Sequence, residues 1–188
     1  MKIHAAYSSV PKLGESANGD RAFLREDSAR RTLFGIIDGL GHGPEAEKAS
    51  LAALAYLDQI VLTSSLKEIM FGLHGALRGT RGAAGMVCIA IGRHLYACSV
   101  GNVEMRPVRT EFPMILSAGI IGVRVSTFRI CQGELKTPCR LAVYSDGITN
   151  PTSLSEYHEA PPKTACDGIL RRHRRDYDDA TVLIADVE

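Results

Sequence analysis

The sequence predicts an α+β domain with helices packed outside antiparallel sheet. Three observations carry this. Val-, Ile- and Leu-rich runs bounded by Gly, Asn, Asp or Pro recur from end to end. Several are joined by links as short as Gly92-Arg93 and Gly101-Asn102, which suit antiparallel hairpins and are too short for parallel crossovers. The order is strands, two helices, many strands, one helix and a last strand, which fits a layered domain.

Strands are expected at residues 2–8, 21–25, 32–37, 85–91, 94–100, 104–109, 123–130, 141–144 and 181–187. A helix is expected from Pro44, which follows Gly43 and suits a first helical position. After it Ala46, Ala49, Ala53, Leu54, Leu57, Ile60 and Val61 recur near helical spacing. A second helix at 66–77 places Leu66, Ile69, Met70, Leu73 and Leu77 on one face. A third covers 163–173, after Pro161-Pro162. No internal repeat and no linker interrupts the pattern, so residues 1–188 read as one domain.

Length and composition bound the rest. A chain of 188 residues should bury roughly 70% of its unfolded surface and needs no disulfide or structural metal to fold. With 45% hydrophobic and 23% charged residues it is globular in composition. Twenty-two basic against 21 acidic residues leave +1, so global charge argues for neither nucleic acid nor an anionic membrane as partner. The five cysteines are odd in number and none are spaced as CxxC; they read as reduced core thiols of a cytoplasmic protein. The start, MKIHAAYSSV, has no apolar stretch suited to a signal peptide, and no run approaches the ~20 residues that span a bilayer.

The chemistry sits where strands end. Aspartate stands beside glycine or another turn former in Asn18-Gly19-Asp20, in Asp38-Gly39-Leu40-Gly41-His42-Gly43, in Ser145-Asp146-Gly147 and in Asp178-Asp179-Ala180. Each alone is common turn chemistry. Together, four strand-end aspartates can converge on one end of a sheet, where bare carboxylates would repel and desolvate badly. A hard divalent cation with a preference for oxygen removes both problems. Glycine after aspartate lets a backbone carbonyl approach as a further ligand.

In order along the chain, NGDRAF, IIDGLGHG, RGAA, VGN, YSDGITN and DDATVLI resemble the PPM family of metal-dependent protein serine/threonine phosphatases, and within it the SpoIIE-like bacterial branch. The resemblance spans nearly the whole chain. It implies a four-layer α-β-β-α sandwich, two packed antiparallel sheets flanked by helices, with two Mn²⁺ or Mg²⁺ ions at one end. Carried over by residue, Asp38 would bridge the ions, the Gly39 carbonyl would join one, and Asp146 and Asp178 would hold the second. Asp20 would complete the cluster directly or through water. Asp179 ranks below Asp178 as a ligand. Three departures stand out: Gly19 where many members have Glu, Leu40 where many have a histidine, and Lys12 and Glu15 with no arginine upstream of Asn18. His42, in the same loop, is the candidate substitute acid.

The implied reaction is phosphomonoester hydrolysis on phosphorylated STAS-domain stressosome proteins, by a cytoplasmic monomer that binds no nucleic acid and no membrane. The alternatives are a catalytically weak or dead PPM-like domain that binds phosphoproteins, and a nucleotide-binding module built on DGLGHG. The other histidines form no HxH or HExxH, and no serine has a GxSxG context. No Cys-x₅-Arg loop is expected. The run Arg171-Arg172-His173-Arg174-Arg175 reads as a solvated helix end, with a docking patch for an acidic or phosphorylated partner as the other reading.

Overall fold

The computed structural model describes residues 2–63, 65–149 and 157–188. Its elements are β1 (Ile3–Val10), β2 (Asp20–Glu26), β3 (Thr32–Gly39), α1 (Pro44–Gln59), α2 (Leu66–Ala76), β4 (Ala83–Ile91), β5 (His94–Val100), β6 (Glu104–Val108), β7 (Gly119–Ile120), β8 (Arg124–Val125), β9 (Cys131–Glu134), β10 (Cys139–Tyr144), α3 (Pro162–His173) and β11 (Ala180–Val187). They form a four-stranded sheet in the order β1-β11-β10-β6 and a five-stranded sheet in the order β2-β3-β4-β5-β9, both antiparallel. The pair β7-β8 stands apart.

Side-chain alternation builds the layers, because successive residues of a strand face opposite sides. From β3 and β4, Phe34, Ile36, Met86 and Cys88 meet Leu141, Val143, Leu183 and Ala185 of the other sheet. Their neighbours Leu33, Ile37, Val87 and Ile89 turn outward and bury Leu57, Ile69, Met70 and Leu73 of α1 and α2. On the far side, Ala142, Tyr144, Val182 and Ile184 cover Ile169 and Leu170 of α3. The order is therefore helices, sheet, sheet, helix. Strands buried on both faces read as continuous apolar runs. Each large apolar side chain so buried contributes about 1.5–3 kcal/mol. The start of α2 is fixed by a capping box between Ser65 and Glu68.

Three expectations need correcting. The segment expected as a strand at 123–130 pairs only at Arg124–Val125. Its apolar residues Phe128 and Ile130 pack on the helix-side core instead, with Phe128 edge-on to Phe71 at 5.1 Å. The Gly101-Asn102 link is no hairpin: it carries the chain from β5 in one sheet to β6 in the other. Gly101 makes that corner at φ +85, where an added Cβ would stand 2.7 Å from the Ala84 Cβ. Finally, β7 and β9 were not expected. The sequence of β9, CQGE, has little strand propensity and is held by its pairing with β5. All five cysteines are buried and free, as expected of core thiols.

Candidate metal centre

The parity that orients the core also orients the acids. Asp38 lies two residues beyond Ile36 and Asp20 two residues before Ala22, so both share the face between the sheets, at its open end. Ladder register puts them directly opposite each other. Asp146 follows β10 and Asp178 precedes β11, its antiparallel neighbour, so both emerge at the same end. The two turns touch: a Cβ on Gly147 would lie 1.8 Å from the Asp179 carbonyl oxygen. Gly39 is as tightly placed, since its Cβ would meet the Ala46 carbonyl oxygen of α1 at 2.1 Å.

Asp38, Asp146 and Asp178 line a cavity of about 320 Å³, together with Leu40, Asn102 and Gly119. Asp20 lies behind it, 1% exposed. Its Oδ2 accepts a hydrogen bond of 2.6 Å from Ser145 Oγ, which in turn accepts from the Thr181 amide. Its Oδ1 is buried with no partner. Burial pushes the Asp20 carboxyl up to about 7, with the charges of Asp179 and Asp146 adding to the effect. Burial also holds Asp38 well above the usual carboxylate range, and Asp20, Asp146, Asp178 and Asp179 each push further the same way. Asp178 is raised by burial first and by Asp146 second. Asn102 Nδ2 donates to Asp146 Oδ2.

Hard cations fit this donor set. The orphaned Asp20 oxygen and the three mutually repelling acids that line the cavity beside it are what positive charge would relieve. Among the described residues no three His, Cys, Asp or Glu side chains already stand at ligand spacing, so the acids line the wall without forming a closed shell. Asp179 is differently engaged. Its Oδ1 accepts from the Lys12 amide and its Oδ2 from the Gly19 amide, each at 2.9 Å, which ties the first motif to the last.

The DGLGHG loop divides. Leu40 lines the cavity, 46% exposed. His42 does not line it. Its Nδ1 donates to Glu15 Oε1 at 2.6 Å, and Lys12 Nζ donates to its Nε2 at 2.9 Å. An ammonium can only donate, so Nε2 accepts and the ring proton sits on Nδ1. Cys166 and Arg172 do carry the Cys-x₅-Arg spacing, contrary to expectation. Both lie within α3, and the buried Cys166 thiol, donating to the Ala6 carbonyl, is pushed up to about 11 by burial. That is a structural thiol in a helix, with no phosphate loop. The basic run also divides: Arg171 and Arg172 are exposed, whereas Arg174 and Arg175 are half-buried. The sequence motif VGN assigns no role to Asn102, and Ser145, within YSDGITN, is weighed there only as a serine without a GxSxG context. Asn150, the last residue of YSDGITN, lies outside the described residues.

Two stacked antiparallel sheets between helices, with strand-end aspartates around an open cavity, define the class: the chain has the fold of the PPM-type bacterial phosphatases. Within that class it is similar to RsbX. A structure of RsbX in complex with magnesium is 20% identical, covers 99% of this chain and 96% of that one, and superposes at a TM-score of 0.85. A structure from work on the bacterial stressosome, as a modular system adapted to control secondary messenger signalling, is 26% identical over 98% of this chain and 100% of that one, at 0.89. The catalytic domain of the serine/threonine protein phosphatase PstP, in complex with two manganese ions, is 19% identical over 98% and 97%, at 0.72. No protein-family model matches the sequence, and no curated protein matches it either. No helix among the described residues is long and apolar enough to cross a membrane.

Proposed function

We propose that this chain is a metal-dependent phosphatase that releases phosphate from phosphoserine and phosphothreonine on stress-signalling proteins. One observation carries the reading: Asp20 and Asp38 face each other, one with an unpartnered buried oxygen, beside a cavity that Asp146 and Asp178 also line. Mn²⁺ or Mg²⁺ would be held by Asp38, the Gly39 carbonyl, Asp146 and Asp178, with Asp20 behind them. When bound, such ions supply Lewis acidity that activates water near neutral pH and offsets phosphoryl charge.

The chain's own residues do the positioning. Ser145 fixes the Asp20 carboxylate, Asn102 orients that of Asp146, and Gly147 lets the Asp146 turn sit against the Asp178-Asp179 backbone. Leu40 gives the mouth an apolar lip and no transferable proton. His42 remains the candidate proton donor only if it leaves its bonds to Glu15 and Lys12.

Similarity to the stressosome-associated structure and to RsbX supports phosphorylated STAS-domain stressosome proteins as substrates and a cytoplasmic setting. The chain would act as a monomer, with residues 1–188 as one catalytic domain. A second reading, a weak or inactive domain that binds phosphoproteins, is favoured by Gly19 and Leu40 and by the open spacing of the acids. The deciding experiment incubates a phosphorylated STAS-domain protein with this chain and Mn²⁺. Phosphate release that Asp38→Asn abolishes supports the first reading. Retained phosphate, with stable complex formation, supports the second.

A further inference from the structure

Beside the acid-lined cavity lies a smaller one of about 200 Å³. The two share Asn102 and Asp146 as a common wall. Arg175 also lines it. The Arg175 backbone is pinned: its amide donates to the Gly147 carbonyl at 2.8 Å, and Thr149 donates to His173. Its side chain is not. The Nε is buried with no hydrogen-bond partner, and the only described contact of the guanidinium is the Tyr177 ring, 5.9 Å from Cζ to centroid. A buried guanidinium nitrogen without an acceptor is costly, and a planar fork of donors matches a carboxylate. Glu104, in the same cavity, already accepts from the Tyr144 hydroxyl. The Nε of Arg174, the residue before, is likewise buried without a hydrogen bond, but it lies 3.3 Å from Asp176 Oδ1 in an ion pair, and Arg175 has no such partner among the described residues.

We infer that this second cavity receives a carboxylate of the protein substrate, held by Arg175, from a residue flanking the phosphorylated one. Such a contact selects substrates with an acidic side chain near the phosphosite. The phosphatase reading supplies the occupant of the neighbouring cavity; binding of the carboxylate does not depend on turnover.

The test uses the manganese-loaded full chain and fluorescent peptides carrying a hydrolysis-resistant phosphonate in place of phosphoserine. One series places a single Asp at successive positions on either side of the phosphonate; the other has Asn at the same places. Anisotropy titration should show about tenfold tighter binding of at least one Asp peptide over its Asn twin. Arg175→Gln should abolish that preference and Arg175→Lys should restore part of it. Both substitutions spare the backbone bond to Gly147, and thermal melting checks that the fold persists. No preference in the parent, or a preference that Arg175→Gln keeps, overturns the inference. Turnover of an aryl phosphate by the parent reports on the phosphatase reading separately. A parent that prefers Asp peptides yet hydrolyses nothing would keep the subsite and lose the reading.

Discussion

Asp20 stands directly opposite Asp38 in the ladder between β2 and β3. Like charges so placed destabilise a sheet, and here one of them is 1% exposed. Without a cation the native state relieves the repulsion by keeping protons. A carboxyl whose folded pKa exceeds its unfolded one binds more protons when folded, so stability falls as pH rises between the two values. For Asp20 that interval runs from 3.8 to about 7. In chelator, the parent should lose stability relative to Asp20→Asn across this window, by on the order of a few kcal/mol. Urea midpoints of both proteins at about pH 5 and about pH 8 check it, and a gap that does not widen with pH contradicts it.

Asp38→Asn keeps the shape and removes the most crowded charge. Manganese-dependent turnover should drop at least about 100-fold, since loss of even an outer-shell partner of a metal ligand costs about 10–100-fold. In chelator the same variant should melt higher than the parent, because Asp20, Asp146 and Asp178 are relieved of one repulsive partner. Turnover within a few-fold of the parent at saturating metal would remove Asp38 from the centre.

Glycines separate site from scaffold. Gly147→Ala drives a Cβ to 1.8 Å from the Asp179 carbonyl oxygen and must push the Asp146 turn away from the Asp178 turn. We expect a loss of about 1–3 kcal/mol and weaker metal binding by calorimetry. Gly75→Ala, in α2 with open space around it, should instead gain about 0.5–1 kcal/mol and leave metal binding alone. Equal metal affinities in both variants would mean that the Gly147 contact does not position Asp146.

Much of this was legible in the sequence, for reasons that also mark where legibility stops. The strand 94–100 and the helix start at Pro44 were written in local pattern and punctuation. So were the four strand-end aspartates, because turn chemistry is local. The fate of Gly101-Asn102 was not, since a two-residue link looks alike whether it closes a hairpin or changes sheet; only pairing partners decide. Asp179 and Asp178 are adjacent and chemically identical. That Asp179 spends both oxygens on the Lys12 and Gly19 amides is a fact of long-range packing. Asn102 came to the cavities by the same route, whereas Arg175, three residues before Asp178 in a basic run with a docking reading of its own, shows in sequence but not which cavity it lines.

His42 is bonded at both ring nitrogens and lies off the cavity wall. His42→Ala should therefore slow an alkyl phosphate, such as a phosphoserine protein, and an aryl phosphate by the same small factor. A general acid would matter for the alkyl leaving group alone, by roughly 10²–10⁴-fold. Parallel rates on the two substrates decide it, and a selective loss on the alkyl phosphate would restore His42 as the proton donor.

If the convergent acids hold divalent cations, the chain is a cation-dependent hydrolase. Turnover of a simple aryl phosphate, measured with Mn²⁺, after chelation and after Mn²⁺ is returned, tests it most directly. Hydrolysis is expected with the ion, none in chelator and recovery on return, with Mn²⁺ half-saturating below Mg²⁺ because it tolerates irregular oxygen geometry better. A folded chain that hydrolyses nothing at saturating Mn²⁺, or hydrolyses equally well in chelator, would contradict it.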